Sequence, residues 1–370
     1  MSVMDRVNAF GVSIISVLQA RGFNENIIYA INEASNPQHL LMFYFPFVAV
    51  IDSVFAAQLL LCMAFSGWLT SMIKWLSLSD RPYWWVQETS YYLHDQRPIL
   101  KQTSQTCEIG SGNPSEHMTS AVIISILFCM WMTSYLDECQ CKINWSSWIM
   151  FPFCFYNALI VMIAQLYTAV HFPHQCLIGA MIGAILVPVL CVYIIDPYIW
   201  QYGAVSNKDT VVVRVWYVLS TIGMTLIAVF TYYCYKSIGW QPSWSIKLAY
   251  RYCDNPANIT RTSIPLFSIM TSTAYMLGWA LFVSPAVIRY RYFTKPRSIP
   301  LGLLIALLFL KIFQLIEHFS CNLDIKTYYL VQFLVTVCKP GLFLRVLPSI
   351  LKLPYFCITC CEQLALKMEQ

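Results

Sequence analysis

Two histidines, a lysine and an arginine have the right side chains to move a phosphoryl group. His171 lies in Gln165–Gln175, QLYTAVHFPHQ, at the seam between two long apolar runs. His117 closes the stretch Gly110-Ser-Gly-Asn-Pro-Ser-Glu-His and leads into another apolar run. Lys74 and Arg81 stand seven residues apart at the end of a third, with Pro82 favouring a helix end at Arg81. One imidazole can attack phosphorus while a second protonates the leaving alcohol. Both protonation states of a histidine are accessible near neutral pH. A lysine and an arginine neutralise phosphoryl oxygens, the main need of that transition state. Ser115 is a candidate helix cap before His117, and the free N–H groups of such a helix start attract anions.

Taken singly, each element has a plainer reading. A histidine at a helix end is usually a cap. A lysine and arginine above aromatic residues usually snorkel toward headgroups. The Gly-Pro-Ser stretch alone reads as a capped helix with an incidental histidine. What joins the elements is where the chain places them.

The chain has 370 residues, of which 58% are hydrophobic and 11% charged, and its mean hydropathy is +0.58. Soluble domains carry about 25% charged residues. The composition therefore predicts an all-α, polytopic membrane bundle forming one domain over 1–370. A net charge of +5, spread over many loops, gives no case for nucleic acid. Several of the fifteen cysteines, such as Cys62, Cys129, Cys154, Cys191 and Cys234, fall in or directly beside apolar runs and read as small hydrophobes. No cysteine pair with metal-ligand spacing stands near a histidine pair, so neither a metal nor a cofactor is expected. Cys357, Cys360 and Cys361 read as an unmodified tail, with palmitoylation the alternative. The first 26 residues read as an amphipathic segment rather than a cleaved signal.

A span needs roughly 20 apolar residues. About nine candidates result: Ile27–Ile51, Val54–Ile73, Met118–Leu136, Trp148–Ala164, Cys176–Ile195, Val211–Tyr233, Ser263–Val287, Ile299–Ile316 and Tyr328–Leu347. The first is interrupted by Asn32, Glu33, Asn36 and Pro37, which favours a start near Leu40. Arg289, Arg291, Lys295 and Arg297 mark the loop after the seventh run as cytosolic. Nine spans then put the N-terminus outside the cytosol and residues 351–370 inside. Of the sequons at Asn144 and Asn258, only Asn258 faces the glycosylation machinery. Parity brings Lys74, Arg81, His117 and His171 to one non-cytosolic face.

Together these elements resemble the phosphatidic-acid-phosphatase type 2 superfamily, whose signature runs KxxxxxxRP, PSGH and SRxxxxxH. Within it the chain looks like the glucose-6-phosphatase family. The specific strings are Lys74 through Arg81-Pro-Tyr-Trp-Trp-Val86, Cys107-Glu108, HFPHQ (His171–Gln175) and RYCDNP (Arg251–Pro256). The resemblance implies an endoplasmic reticulum enzyme that hydrolyses glucose 6-phosphate at a lumenal site. It implies His171 as the nucleophile forming phosphohistidine and His117 as the general acid. Lys74, Arg81 and Ser115 would bind phosphate, and a glucose 6-phosphate transporter would be a partner. A dilysine retrieval signal is common in the family, but the tail from Lys367 carries a single lysine.

Two positions depart from the signature. Gln165 stands where the third motif has arginine, and Glu116 where the second has glycine. Both shift the site toward negative charge. A lost charge-assisted contact is worth about 1.5–3 kcal/mol, which predicts weakened catalysis, and Glu116 adds repulsion to a phosphate dianion unless it points away or pairs with Arg81 or Lys74. The rival expectation is a silent membrane protein that keeps the fold and binds phosphate esters. A transporter would need charged or broken helices at mid-membrane, which the sequence does not show. His174 reads as an orienting or capping residue. Trp84 and Trp85 read as either a sugar platform or an interfacial anchor, and Glu317-His318 as a local hydrogen bond.

Overall fold

The computed structural model describes residues 2–138, 146–201, 211–241, 244–259, 264–283 and 299–351, and every regular element among them is a helix. Asn144, the basic Arg289–Arg297 loop, the three tail cysteines and Lys367 lie outside the described residues. The helices that matter below are α1 (Val3–Ala20), α2 (Glu25–Ser35), α3 (Pro37–Ile51), α4 (Ser53–Ser77), α5 (Pro82–Glu88), α6 (Glu116–Glu138), α7 (Phe151–Tyr167), α8 (Pro173–Leu190), α9 (Val211–Ser237) and α10 (Trp244–Tyr252).

Seven helical stretches among the described residues are long and apolar enough to cross a membrane. They are Ser53–Glu88, Glu116–Ser134, Trp148–Tyr167, Pro173–Ile199, Val212–Ser237, Ile299–Ser320 and Ile325–Leu351. Large apolar side chains on their outer faces, such as Leu226 and Phe230 of α9, are exposed as a lipid contact requires. The protein is a multi-pass membrane protein. The sequence count of nine includes two runs that form shorter helices. Ile27–Ile51 breaks at Asn36, whose extended backbone precedes Pro37 and whose side chain accepts from the Gln38 amide. Of Ser263–Val287, Leu266–Phe282 is helical and the residues after 283 lie outside the described set.

The chain folds as two compact units. The first comprises Met1–Leu40, Cys62–Tyr193 and Gly223–Thr273, and every candidate site residue lies in it. The second comprises Leu41–Leu61, Ile194–Ile222 and Ala274–Gln370. Inside the second, the Trp279 indole donates to the Ala57 carbonyl at 2.9 Å, and Phe45 meets Phe343 edge to face.

In the first unit, α6 and α8 pack backbone to backbone. A Cβ on Gly179 would lie 2.5 Å from the Ser115 carbonyl, and one on Gly183 would lie 2.8 Å from that of Thr119. Two glycines one turn apart let membrane helices approach this closely. The Thr119 hydroxyl then reaches across to the Gly179 carbonyl at 3.0 Å. His117 begins α6 and His171 precedes α8, so this contact draws the two imidazoles to one end of the bundle. Gly179→Val is expected to destabilise the protein by about 1–3 kcal/mol and to lower turnover with it. Thermal denaturation in detergent and an activity assay check this; no change in either would show that the α6–α8 seam does not position the site.

Candidate active site

The loop before α6 is the frame of the site. Arg81 is fully buried and reaches into that loop from the start of α5. Its Nε donates to Gly110 O at 2.9 Å, while its terminal nitrogens reach Ile109 O at 3.2 Å and Ser111 O at 3.5 Å. A buried guanidinium survives only with its donors filled. The remaining face, Nη1, looks toward the Glu108 carboxylate at 3.0 Å, Val170 O at 3.4 Å and His171 Nε2 at 3.5 Å.

His171 sits in a tight turn between α7 and α8. Ala169 takes φ 54°, the left-handed region, two residues before it. Gln175 locks the turn: its Oε1 accepts from the Phe172 amide at 2.9 Å, and its Nε2 donates to Ser79 Oγ and Asp80 O. Gly112 must pass close to this glutamine, since a Cβ there would lie 2.6 Å from Gln175 Nε2 and 2.7 Å from Asp80 O. The reward is the Gly112 carbonyl, which accepts from His171 Nδ1 at 2.7 Å. That bond places the proton on Nδ1 and leaves the Nε2 lone pair free beside Arg81. The imidazole is held well below its ordinary pKa by burial and then by the Arg81 charge.

That shift has a direction that can be tested. A lowered pKa keeps the ring neutral, and therefore nucleophilic, as pH falls through 6.5. Phosphoenzyme formation, corrected for the substrate's own phosphate ionisation, is expected to show no loss centred at the ordinary histidine pKa of about 6.5. A loss centred there would assign the titration to His171 and remove the argument from burial.

His117 opens α6. Its Nδ1 is 3.1 Å from Ser35 Oγ on α2, and its Nε2 is 3.4 Å from Glu108 Oε1. Glu108 thus bridges Arg81 and His117. Burial would raise its carboxyl, but Arg81, His117 and His171 together hold it well below the usual carboxylate range. Ser115 Oγ accepts from the Met118 amide at 3.4 Å and caps α6, with its own N–H on Gln175 O. The Met118 and Thr119 amides of the first turn are thereby taken, by Ser115 Oγ and by the Ser115 carbonyl.

The two signature departures have definite surroundings. Glu116 forms an ion pair with Lys74, Nζ to Oε1 2.9 Å. The acid therefore lies against one of the two site cations. Gln165 is buried and donates to Asn32 Oδ1 at 2.9 Å, and its own Oε1 has no hydrogen-bond partner. Asn32 continues to Gln105, which reaches Glu33. Gln165 thus belongs to an amide chain anchored on α2, while His171, Arg81, Glu108 and His117 form the connected cluster.

The reading of Trp84 and Trp85 is revised. Trp84 and Trp85 are buried in a cluster with Val12 of α1 and Phe172, and the Trp84 indole donates to Asp80. They support the catalytic turn from behind and offer no face to a sugar or to headgroups. His174 stacks on Phe172 at 5.6 Å. The Glu317 carbonyl accepts from Ser320 Oγ, and the His318 ring meets Phe319. Two features escaped the sequence. The role of Glu108 needs the fold, although its neighbour Cys107 flagged the stretch. Cys107 forms a disulfide with Cys253. Their position outside the apolar runs was the available signal.

A neutral buried imidazole beside a guanidinium, a second imidazole and a capped helix start, set in apolar helices, defines an integral membrane phosphatase. The PAP2 superfamily model matches residues 55–200 of the chain. It is similar to glucose-6-phosphatase catalytic subunit 1 of Haplochromis nubilus, 27% identical over 75% of this chain and 76% of that protein. It is likewise 27% identical to glucose-6-phosphatase 3 of Homo sapiens, over 93% of this chain and 95% of that one. Glucose-6-phosphatase 2 of Homo sapiens is 27% identical over 74% and 76%. No solved structure matches. The chain is a phosphoric monoester hydrolase.

Proposed function

We propose that this protein hydrolyses glucose 6-phosphate to glucose and phosphate at the lumenal face of the endoplasmic reticulum membrane. The observation that carries the reading is the His171 Nδ1 bond to Gly112 O, which frees Nε2 beside Arg81. Nε2 attacks phosphorus and the bond from phosphorus to the sugar oxygen breaks. His117 gives its Nε2 proton to that oxygen as glucose leaves. A water then attacks the phosphohistidine, losing its proton to His117, and phosphate departs from a restored His171. Arg81, Lys74 and the positive end of α6 carry the phosphoryl charge. Glu108 and Glu116 hold those cations in the meantime, so turnover is slower than an unpaired pair would allow.

The Cys107–Cys253 disulfide supports an oxidising compartment for this face. Asn258, five residues beyond Cys253, shares that side and is the proposed glycan carrier. The N-terminus is then lumenal, the C-terminus cytosolic, and a glucose 6-phosphate transporter supplies the substrate. Microsomes carrying the protein should release glucose from glucose 6-phosphate, and more of it once the vesicles are opened. Endoglycosidase should shift the protein's mobility, and Asn258→Gln should abolish the shift. No glucose release from opened vesicles would end the glucose 6-phosphate reading, and a glycan surviving Asn258→Gln would end the topology.

A further inference from the structure

An imidazole serves as a general acid only if the nitrogen that faces the leaving oxygen carries the proton that moves. The two nitrogens of His117 have different neighbours. Nε2 is 3.4 Å from Glu108 Oε1, on the side of Arg81 and His171, and Nδ1 is 3.1 Å from Ser35 Oγ at the end of α2. Ser35 is buried and uncharged, and no step above uses it.

The end of α2 decides what that hydroxyl can do. Ser35 is the last residue of the helix, because Asn36 takes an extended backbone before Pro37. The Asn36 amide turns back to Glu33 O at 3.3 Å and does not continue the ladder onto Asn32 O. The Ser35 hydroxyl donates to that carbonyl instead, Oγ to O 3.2 Å. A hydroxyl has one proton to give and two lone pairs. With the proton on Asn32 O, the Ser35 oxygen faces His117 as an acceptor. Asn32 is itself held on two sides. Gln165 Nε2 donates to its Oδ1 at 2.9 Å, and its Nδ2 donates to Gln105 Oε1 at 3.1 Å. The buried amide that stands where the signature has arginine thus fixes the helix end that carries Ser35.

We infer that Ser35 is a positioning residue for His117: its oxygen accepts the Nδ1 proton, which fixes the ring and directs the transferred proton to Nε2. This rests on the reading of His117 as the general acid of a phosphomonoester hydrolysis. In the charged ring both N–H groups have an acceptor, Ser35 Oγ on one side and Glu108 on the other. When the Nε2 proton passes to the leaving oxygen, the ring is left in the tautomer that Ser35 already holds, with no rotation and no proton exchange. Glu108 works against that tautomer, since a carboxylate offers only lone pairs and favours a proton on Nε2. Without the Ser35 oxygen, nothing on the Nδ1 side among the described hydrogen bonds opposes it. The neutral ring would then carry its proton on Nε2.

The test joins kinetics to a direct reading of the ring. Ser35→Ala is expected to lower kcat with glucose 6-phosphate about tenfold, short of the roughly 10²–10⁴-fold of a whole general-acid contribution because the imidazole remains. Hydrolysis of p-nitrophenyl phosphate, whose leaving group needs no proton, should stay near the unsubstituted rate. In a His117→Ala background the same substitution should add no further loss. Ser35→Thr and Ser35→Val share one shape, so any packing cost is common to both, and only the threonine should keep the activity. Nitrogen-15 NMR of histidine-labelled protein in detergent, at a pH where the ring is neutral, reads the tautomer, with His117→Ala identifying the signal. The proton is expected on Nδ1 of His117 and should move to Nε2 in Ser35→Ala and Ser35→Val. Equal losses on both esters, equal activity of the threonine and valine variants, a further loss in the His117→Ala background, or a tautomer that does not move overturns the proposal. Should the unsubstituted protein release no glucose from glucose 6-phosphate while the tautomer moves as expected, the hydrolase reading fails and the hold of Ser35 on His117 remains.

Discussion

His171→Ala is expected to abolish release of glucose from glucose 6-phosphate, by roughly 10⁴-fold or more, as removal of a nucleophile does elsewhere. Its neighbours among the described residues are engaged elsewhere. The Arg81 guanidinium is committed to carbonyls and Glu108, and His174 is stacked on Phe172. Brief incubation with labelled substrate followed by alkaline denaturation should trap label on the unsubstituted protein and none on the variant. His117→Ala should behave differently. It lacks the proton donor for a sugar alkoxide but keeps the attacking nitrogen. Its defect should therefore be large with glucose 6-phosphate and small with p-nitrophenyl phosphate, whose leaving group needs no proton. Equal activity in His171→Ala and the unsubstituted protein would remove the phosphohistidine mechanism. Equal defects of His117→Ala on both substrates would remove the acid role.

The sequence carried more of the site than of its supports. Lys74, Arg81, His117 and His171 were legible because membrane parity gathers polar groups at helix ends, where charge is tolerated. The close seam of Gly179 and Gly183 explains why those ends also meet, and small residues in an apolar run were there to be read. Glu108 was not legible as a bridge. A carboxylate in a loop of unknown shape has no direction, and its partners lie 27 residues before it and nine after it. The indoles of Trp84 and Trp85 were misread because aromatic residues near a span end usually mark the interface. Here Pro82 turns the chain into α5, and the rings face inward onto Phe172. Gln165 was read as a missing cation at the phosphate. Its bond to Asn32 shows a neutral pair instead, so an arginine there would enter a buried position beside an amide rather than a carboxylate. The break at Asn36 was visible, since Asn-Pro signals it and favours a start near Leu40, and the helix beyond it, Pro37–Ile51, is a short apolar one.

The two carboxylates of the site should respond in opposite directions. Glu116 occupies Lys74, whose ammonium is one of the two cations available to phosphate. Glu116→Gly removes that competitor and its charge at the helix start. Orthovanadate inhibition should tighten and kcat/KM for glucose 6-phosphate should rise, by roughly 10- to 150-fold if the full charge-assisted contact of about 1.5–3 kcal/mol is recovered. Glu108 also occupies a cation, but it touches His117 as well. Glu108→Gln keeps an acceptor for Arg81 and loses the charge that holds the acid in place. Turnover of glucose 6-phosphate should fall about tenfold, less than the roughly 10²–10⁴-fold of a whole general-acid contribution because His117 itself remains, with p-nitrophenyl phosphate spared. Steady-state kinetics with both esters and vanadate decides the matter. A loss of activity in Glu116→Gly would mean that the Lys74 pair holds the site's shape rather than competing with substrate. A gain in Glu108→Gln would mean that Glu108 merely blocks the anion. The contrast follows from one geometric fact: Glu116 reaches a cation alone, whereas Glu108 reaches a cation and the proton donor together.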